Sequence, residues 1–175
     1  MAATCGIMLR MTTRNENCET KKIRAVVSLG SNIEPRREYL ERAVAALAAM
    51  PSTRLVAQSS VIETQGVGVP DEFADMKFLN QVAVFETALA PLEFSRGMHA
   101  IEDSLGRVRT VRNGPRTIDI DLIDFGGIRM DAPELTLPHP RFHTRDFVLI
   151  PMRELGIVLP PPENAAAQSP RTHDI

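Results

Sequence analysis

Apolar positions along the chain alternate between strand-like and helix-like spacing. From Arg24 to Leu29 a short apolar run ends at Gly30-Ser31-Asn32, which predicts a strand closed by a turn. Pro35 stands where a helix would open, and Leu40, Ala43, Val44 and Leu47 follow at helical spacing, giving that helix one buried face. Leu55 to Ile62 predicts a second strand, and Asn80 to Thr87 a third, in which Val82 and Val84 alternate with Ala83 and Phe85. A loop with Gly and Pro, Gln65 to Lys77, separates them. Pro91 opens a second helix whose stripe is Phe94, Met98, Ile101 and Leu105, and Gly106 ends it. After an arginine-bearing loop, Ile118 to Phe125 predicts the fourth strand.

The order β-α-β-β-α-β predicts an α+β fold, a ferredoxin-like sandwich. The remainder, through Leu137-Pro138-His139-Pro140 and Phe147 to Leu155, is expected to add C-terminal edge strands or loops and a short closing helix. Residues 1–22 read as a flexible extension, 23–160 as a single domain, and 161–175 as a flexible tail. A chain of 175 residues suits one domain with its own core.

Composition narrows the function. With 43% hydrophobic and 24% charged residues and a net charge of -2, the chain lacks the basic surplus of a general nucleic-acid or anionic-membrane binder. No apolar run approaches the ~20 residues that a membrane-spanning helix needs. Its two cysteines, Cys5 and Cys18, cannot staple a domain of this size, so a cytoplasmic, reducing setting is expected.

The chemistry concentrates in Gly114-Pro115-Arg116-Thr117-Ile118-Asp119-Ile120-Asp121. Residues two apart on a strand share a face, so Asp119 and Asp121 project together. A close carboxylate pair favours a cation between its members, and hard oxygen donors with few protein ligands suit magnesium. The alternative is a solvated strand face with two unrelated aspartates. Arg107, Arg109, Arg112 and Arg116 lie just upstream, and guanidinium forks match phosphate oxygens, so the cluster reads either as a polyphosphate clamp or as a solvated basic loop. His99 and Glu102 lie on one flank of the second helix and say little by themselves. No Walker-type glycine loop is present, so a nucleotide would be held by side chains.

These blocks, with Leu29-Gly30-Ser31-Asn32, Ser59-Ser60, Glu63-Thr64, Phe78-Leu79-Asn80, Leu105-Gly106-Arg107, Leu135 to Pro140 and Arg145 to Leu149, resemble the 6-hydroxymethyl-7,8-dihydropterin pyrophosphokinase family. The resemblance runs from about Ala25 to about Leu155. It implies transfer of diphosphate from ATP to the hydroxymethyl group of a reduced pterin, releasing AMP, in folate biosynthesis. It implies Asp119 and Asp121 as ligands of two magnesium ions, and Arg107 and Arg109 on a loop that closes over the triphosphate, with Arg116 completing the catalytic set. It places Glu102, His99, Arg116, His139 and Arg145 around ATP. It places Thr64, Gln65, Val67 and Asn80 around the pterin, with Phe78 and Phe147 on its two faces. Partners are then small molecules, with neither nucleic acid nor membrane, and the protein a monomer or a dimer. Asn113 stands where the family commonly has tryptophan, which makes a catalytically degenerate pterin- or nucleotide-binding module the alternative.

Overall fold

The computed structural model describes residues 21–73, 75–108 and 114–162. Arg109, Arg112 and Asn113 lie outside the described residues, as do most of the expected extension and tail. The elements are β1 (Ile23–Ser31), α1 (Arg36–Ala48), β2 (Thr53–Gln58), β3 (Ile62–Gln65), β4 (Lys77–Thr87), α2 (Pro91–Ser104), β5 (Asp119–Phe125), β6 (Met130–Ala132), β7 (Leu135–Leu137) and α3 (Asp146–Glu154).

The main sheet has the order β2-β4-β1-β5, with β3 also pairing β4, and the described pairings are antiparallel. Since β2 and β3 together occupy the second strand's place, this is the ferredoxin-like arrangement expected from the element order. The alternation in β4 divides two cores between the two faces of the sheet. Ala83 and Phe85 join Leu40, Ala43, Val44 and Leu47 of α1 and Phe94 and Met98 of α2 on one face. Val82 and Val84 join Val26, Ile123, and Val148 and Met152 of α3 on the other. Phe94 sits between Phe85 and Phe125, with ring centroids 6.4 and 5.8 Å away. Burying such a ring contributes about 2–3 kcal/mol. The start of α2 is fixed by Pro91 and by the Glu93 carboxylate, which accepts the Ala90 N–H at 3.0 Å.

Two expectations need correction. The strand expected from Leu55 to Ile62 is two strands, because Ser59 and Ser60 break it. Ser59 exchanges bonds with β4: its N–H donates to the Val82 carbonyl at 2.9 Å, and its hydroxyl accepts the Val82 N–H at 3.1 Å. The buried Gln81 amide adds a bond to the Ser59 carbonyl at 2.7 Å. The expected C-terminal edge strands do not extend the main sheet either. Among the described residues, strands β6 and β7 pair only with each other as a ribbon, with β7 against β5, and α3 closes the second face.

Candidate active site

The site is a trough on the α3 face of the sheet, and it exists because the middle strand carries small residues there. Across the sheet, Asn80, Gly30 and Asp119 stand in one row, and Ser28 stands opposite Asp121. Gly30 keeps that row close: a Cβ there would lie 3.0 Å from Asn80 Oδ1, so the amide would have to give by a few tenths of an ångström. The trough opens into a hollow of about 260 Å³ lined by Ser28, Gly30, Thr64, Gln65, Gly66, Val67, Phe78, Asn80, Arg116, Asp119, Asp121, Arg145 and Phe147, among others. Every residue expected around a pterin lies here. The β3–β4 register sets Thr64 opposite Phe78, and Asn80 Nδ2 donates to Thr64 Oγ1 at 2.8 Å. Gly66 also allows a close approach, since a Cβ there would meet Val69 at 2.6 Å and the Phe78 ring at 3.0 Å.

Asp119 and Asp121, 26% and 32% exposed, both face this hollow and are bracketed by arginines. Asp119 takes Arg107 at 2.5 Å and Arg116 at 2.7 Å, while Asp121 takes Arg145 at 2.9 Å. Two of these guanidiniums also cover the aromatic walls: Arg116 lies 6.0 Å from the Phe78 ring centroid and Arg145 lies 5.5 Å from that of Phe147. Arg116 is itself anchored, its N–H donating to Asn32 Oδ1 at 2.6 Å.

Glu102 is placed differently from the other residues expected around ATP. It is 1% exposed and lines neither hollow, on the helix face turned to β5. Its Oε1 accepts the Ile120 N–H at 2.7 Å and an Arg107 N–H, and its Oε2 pairs with His99 Nδ1 at 3.2 Å. Glu102 thereby holds Arg107 toward Asp119 from below, which acts on the site through another residue.

A second hollow of about 270 Å³ adjoins the first and shares Asp121 with it. Its walls include His99 and Ser95 of α2, Thr136, Glu134 and His139. The His139 N–H donates to the Ile123 carbonyl at 2.9 Å, which seats the ring beside β5, with Nε2 3.9 Å from Asp121 Oδ2. Nδ1 accepts the Arg141 N–H at 3.1 Å, so the ring proton sits on Nε2, facing the site. Burial pushes the His139 pKa below its ordinary value, and Arg145 and Arg141 push the same way against the opposing pull of Asp121.

Ser28, Gly66, Val69, Arg141 and Thr144 also line the first hollow and were not among the site residues expected from the sequence. Ser28 had a usable signal, since it stands two residues before Gly30 on a strand and must share its face.

The acid pair fits magnesium. Among the described residues no three His, Cys, Asp or Glu side chains gather to hold a metal, so the pair alone would supply protein ligands. Two carboxylates about a third exposed and facing a hollow suit a hard cation that keeps water and phosphate oxygens, and are too few for a closed zinc site.

An α+β sandwich with two adjoining hollows that share Asp121, and with arginines upon the acid pair, is an arrangement suited to moving a phosphate group between two substrates. The family model for 7,8-dihydro-6-hydroxymethylpterin-pyrophosphokinase (HPPK) matches residues 26–157. The 2-amino-4-hydroxy-6-hydroxymethyldihydropteridine pyrophosphokinase of Pseudomonas aeruginosa is 41% identical over 133 residues, 76% of this chain and 80% of that one. The protein of the same name from Bacillus subtilis is 40% identical over 131 residues, 75% of this chain and 77% of that one. Among solved structures, HPPK-DHPS in complex with substrates superposes with a TM-score of 0.58 at 12% identity, over 77% of this chain and 40% of that chain, a likeness of fold. The chain belongs to the HPPK family.

Proposed function

We propose that the first hollow takes 6-hydroxymethyl-7,8-dihydropterin, the second takes ATP, and the acid pair between them is where diphosphate changes hands. The chain is a pyrophosphokinase of folate biosynthesis, an ATP-dependent diphosphotransferase. The observation that carries the division of the site is Asp121, which borders both hollows.

A flat polar ring is bound by stacking on its faces and hydrogen bonds at its rim. Phe78 and Phe147 supply the faces, and Asn80 supplies the rim, with an acceptor oxygen and a second amide hydrogen left after its bond to Thr64. On the other side, the Nε2–H of neutral His139 donates to a phosphate oxygen, with Arg145 meeting it across Asp121 from the first hollow and Arg116 reaching in from Asp119. Magnesium, two ions in this reading, would be held by Asp119 and Asp121 and would supply charge neutralisation at the triphosphate. Arg107, Arg116 and Arg145 then exchange carboxylate for phosphate oxygens, which moves their charge onto the group being transferred.

The pterin hydroxymethyl oxygen attacks the β-phosphorus in line. An oxygen–phosphorus bond forms there, the α,β-bridging bond breaks, AMP leaves, and the hydroxyl proton passes to a neighbouring carboxylate or water. The reading includes a cytoplasmic setting and small-molecule partners alone, supported by the composition and by the absence of any helix long and apolar enough to cross a membrane among the described residues.

The test is to incubate the purified protein with ATP, magnesium and the pterin and to follow AMP and pterin diphosphate together. Equal formation of both, lost on chelation, is the expected result. Binding of either substrate without any product would replace this reading with that of a binding module.

A further inference from the structure

The two walls of the pterin hollow belong to different parts of the fold, and a polar tie joins them away from the hollow. One wall is the β3–β4 hairpin, with Thr64, Phe78 and Asn80. The other is Phe147, in the first turn of α3. At the far end of α3, Glu154 accepts the Ser60 N–H on Oε1 at 2.8 Å and the Ser60 hydroxyl on Oε2 at 2.6 Å. Ser60 lies in the break between β2 and β3, next to Ser59, which is bound to β4. The helix is thus a strut, with the aromatic wall at one end and a two-pronged clamp at the other, about 10 Å along its axis.

Two features argue that the clamp is there for geometry. An acid in the last turn of a helix stands against the helix dipole, a position that favours bases, so a local rule is broken in exchange for a specific contact. Both partners are exposed, and hydrogen bonds to a carboxylate that water can also reach contribute little to stability. The Ser60 hydroxyl and N–H hold the Glu154 carboxyl below its ordinary pKa.

We propose that Glu154 is a positioning residue for the pterin subsite: by clamping Ser60 it sets the spacing between Phe147 and the hairpin that carries Thr64, Phe78 and Asn80. This rests on the first hollow being the pterin site.

The experiment is steady-state kinetics of wild type, Glu154→Ala, Glu154→Gln, Ser60→Ala and the double variant, with thermal denaturation of each. Glu154→Ala is expected to raise the pterin KM about three- to tenfold. The ATP KM and kcat stay within about twofold, and Tm within about 3 °C, as for an exposed substitution. Glu154→Gln keeps one acceptor and falls between. Ser60→Ala combined with Glu154→Ala is no worse than Glu154→Ala alone, since the two act as one unit. An unchanged pterin KM in Glu154→Ala overturns the proposal, as does a parallel rise in both KM values with a lowered Tm, which marks a merely structural contact. Failure of the wild type to form pterin diphosphate at all would overturn the underlying site reading instead, before any variant is compared.

Discussion

The hollow between Phe78 and Phe147 has its floor across three strands, with one aromatic wall on the sheet and the other on α3, whereas the hollow beside His99 and His139 meets the main sheet at β5 alone, between a helix flank and the β6–β7 ribbon. The first has its floor on three neighbouring strands, with Asn80, Gly30 and Asp119 in register. The second has β5 alone beneath it, through Ile120, Asp121 and Leu122, and is otherwise lined from α2, the β6–β7 ribbon and the stretch after it. A rigid planar ring rewards a slot of fixed width, which a floor of three paired strands provides. A flexible triphosphate chain tolerates a looser enclosure, provided charges meet it at the right point. That point is Asp121, common to both.

The largest expected effect therefore comes from removing the shared residue. Asp121→Ala should lower turnover by at least about a thousandfold, since it deletes a charge needed where phosphate is transferred. The fold should survive, because Asp121 is a third exposed and lies outside both apolar clusters. AMP formation and thermal denaturation, measured together, check this. Turnover near wild type would break the idea of a common junction.

Next in size is a crossed pair of substitutions that separates the hollows. Phe147→Ala removes one face of the slot and should raise the pterin KM by about ten- to a hundredfold, with the ATP KM within about twofold. His139→Ala should do the reverse, raising the ATP KM about tenfold through loss of one donor to a charged oxygen. Equal changes in both KM values for either variant would mean that the hollows do not divide the substrates as drawn.

Much of this was legible in the sequence, and the limits have physical causes. The strand alternation around Asp119 and Asp121 and the helical stripe Leu40, Ala43, Val44 and Leu47 depend on local geometry, and both appear in the structure as read. The break at Ser59 and Ser60 was not legible, because Gln81, Val82 and Glu154 impose it from distant parts of the chain. In the α2 stripe of Phe94, Met98, Ile101 and Leu105 only Ile101 is half-buried, and its charged neighbour Glu102 is fully inside. A hydrophobic pattern cannot announce a buried acid whose partners, the Ile120 N–H and Arg107, come together only on folding. Glu102 entered the ATP set through resemblance, and the geometry shows how it reaches the site: by holding Arg107 on Asp119.

The smallest effect sharpens the contrast from the side of stability. Burial, Arg145 and Arg141 lower the His139 pKa from the ordinary 6.5 against the pull of Asp121. The unfolded chain therefore binds this proton more readily than the folded one, so stability is complete above pH 6.5 and is lost as pH falls from there toward the folded value. One proton limits the slope to about 1.4 kcal/mol per pH unit. Urea midpoints measured from about pH 8 down to about pH 5, across the range in which histidine titrates, should fall more steeply for the wild type than for His139→Gln. Adding ATP should shrink that difference, because phosphate placed beside Nε2 favours the protonated ring in the folded state and draws the two pKa values together. Adding the pterin alone should leave it unchanged, since that ligand sits on the other side of Asp121. A pterin-sensitive difference would mean that His139 reports on both hollows and that their boundary is not at Asp121.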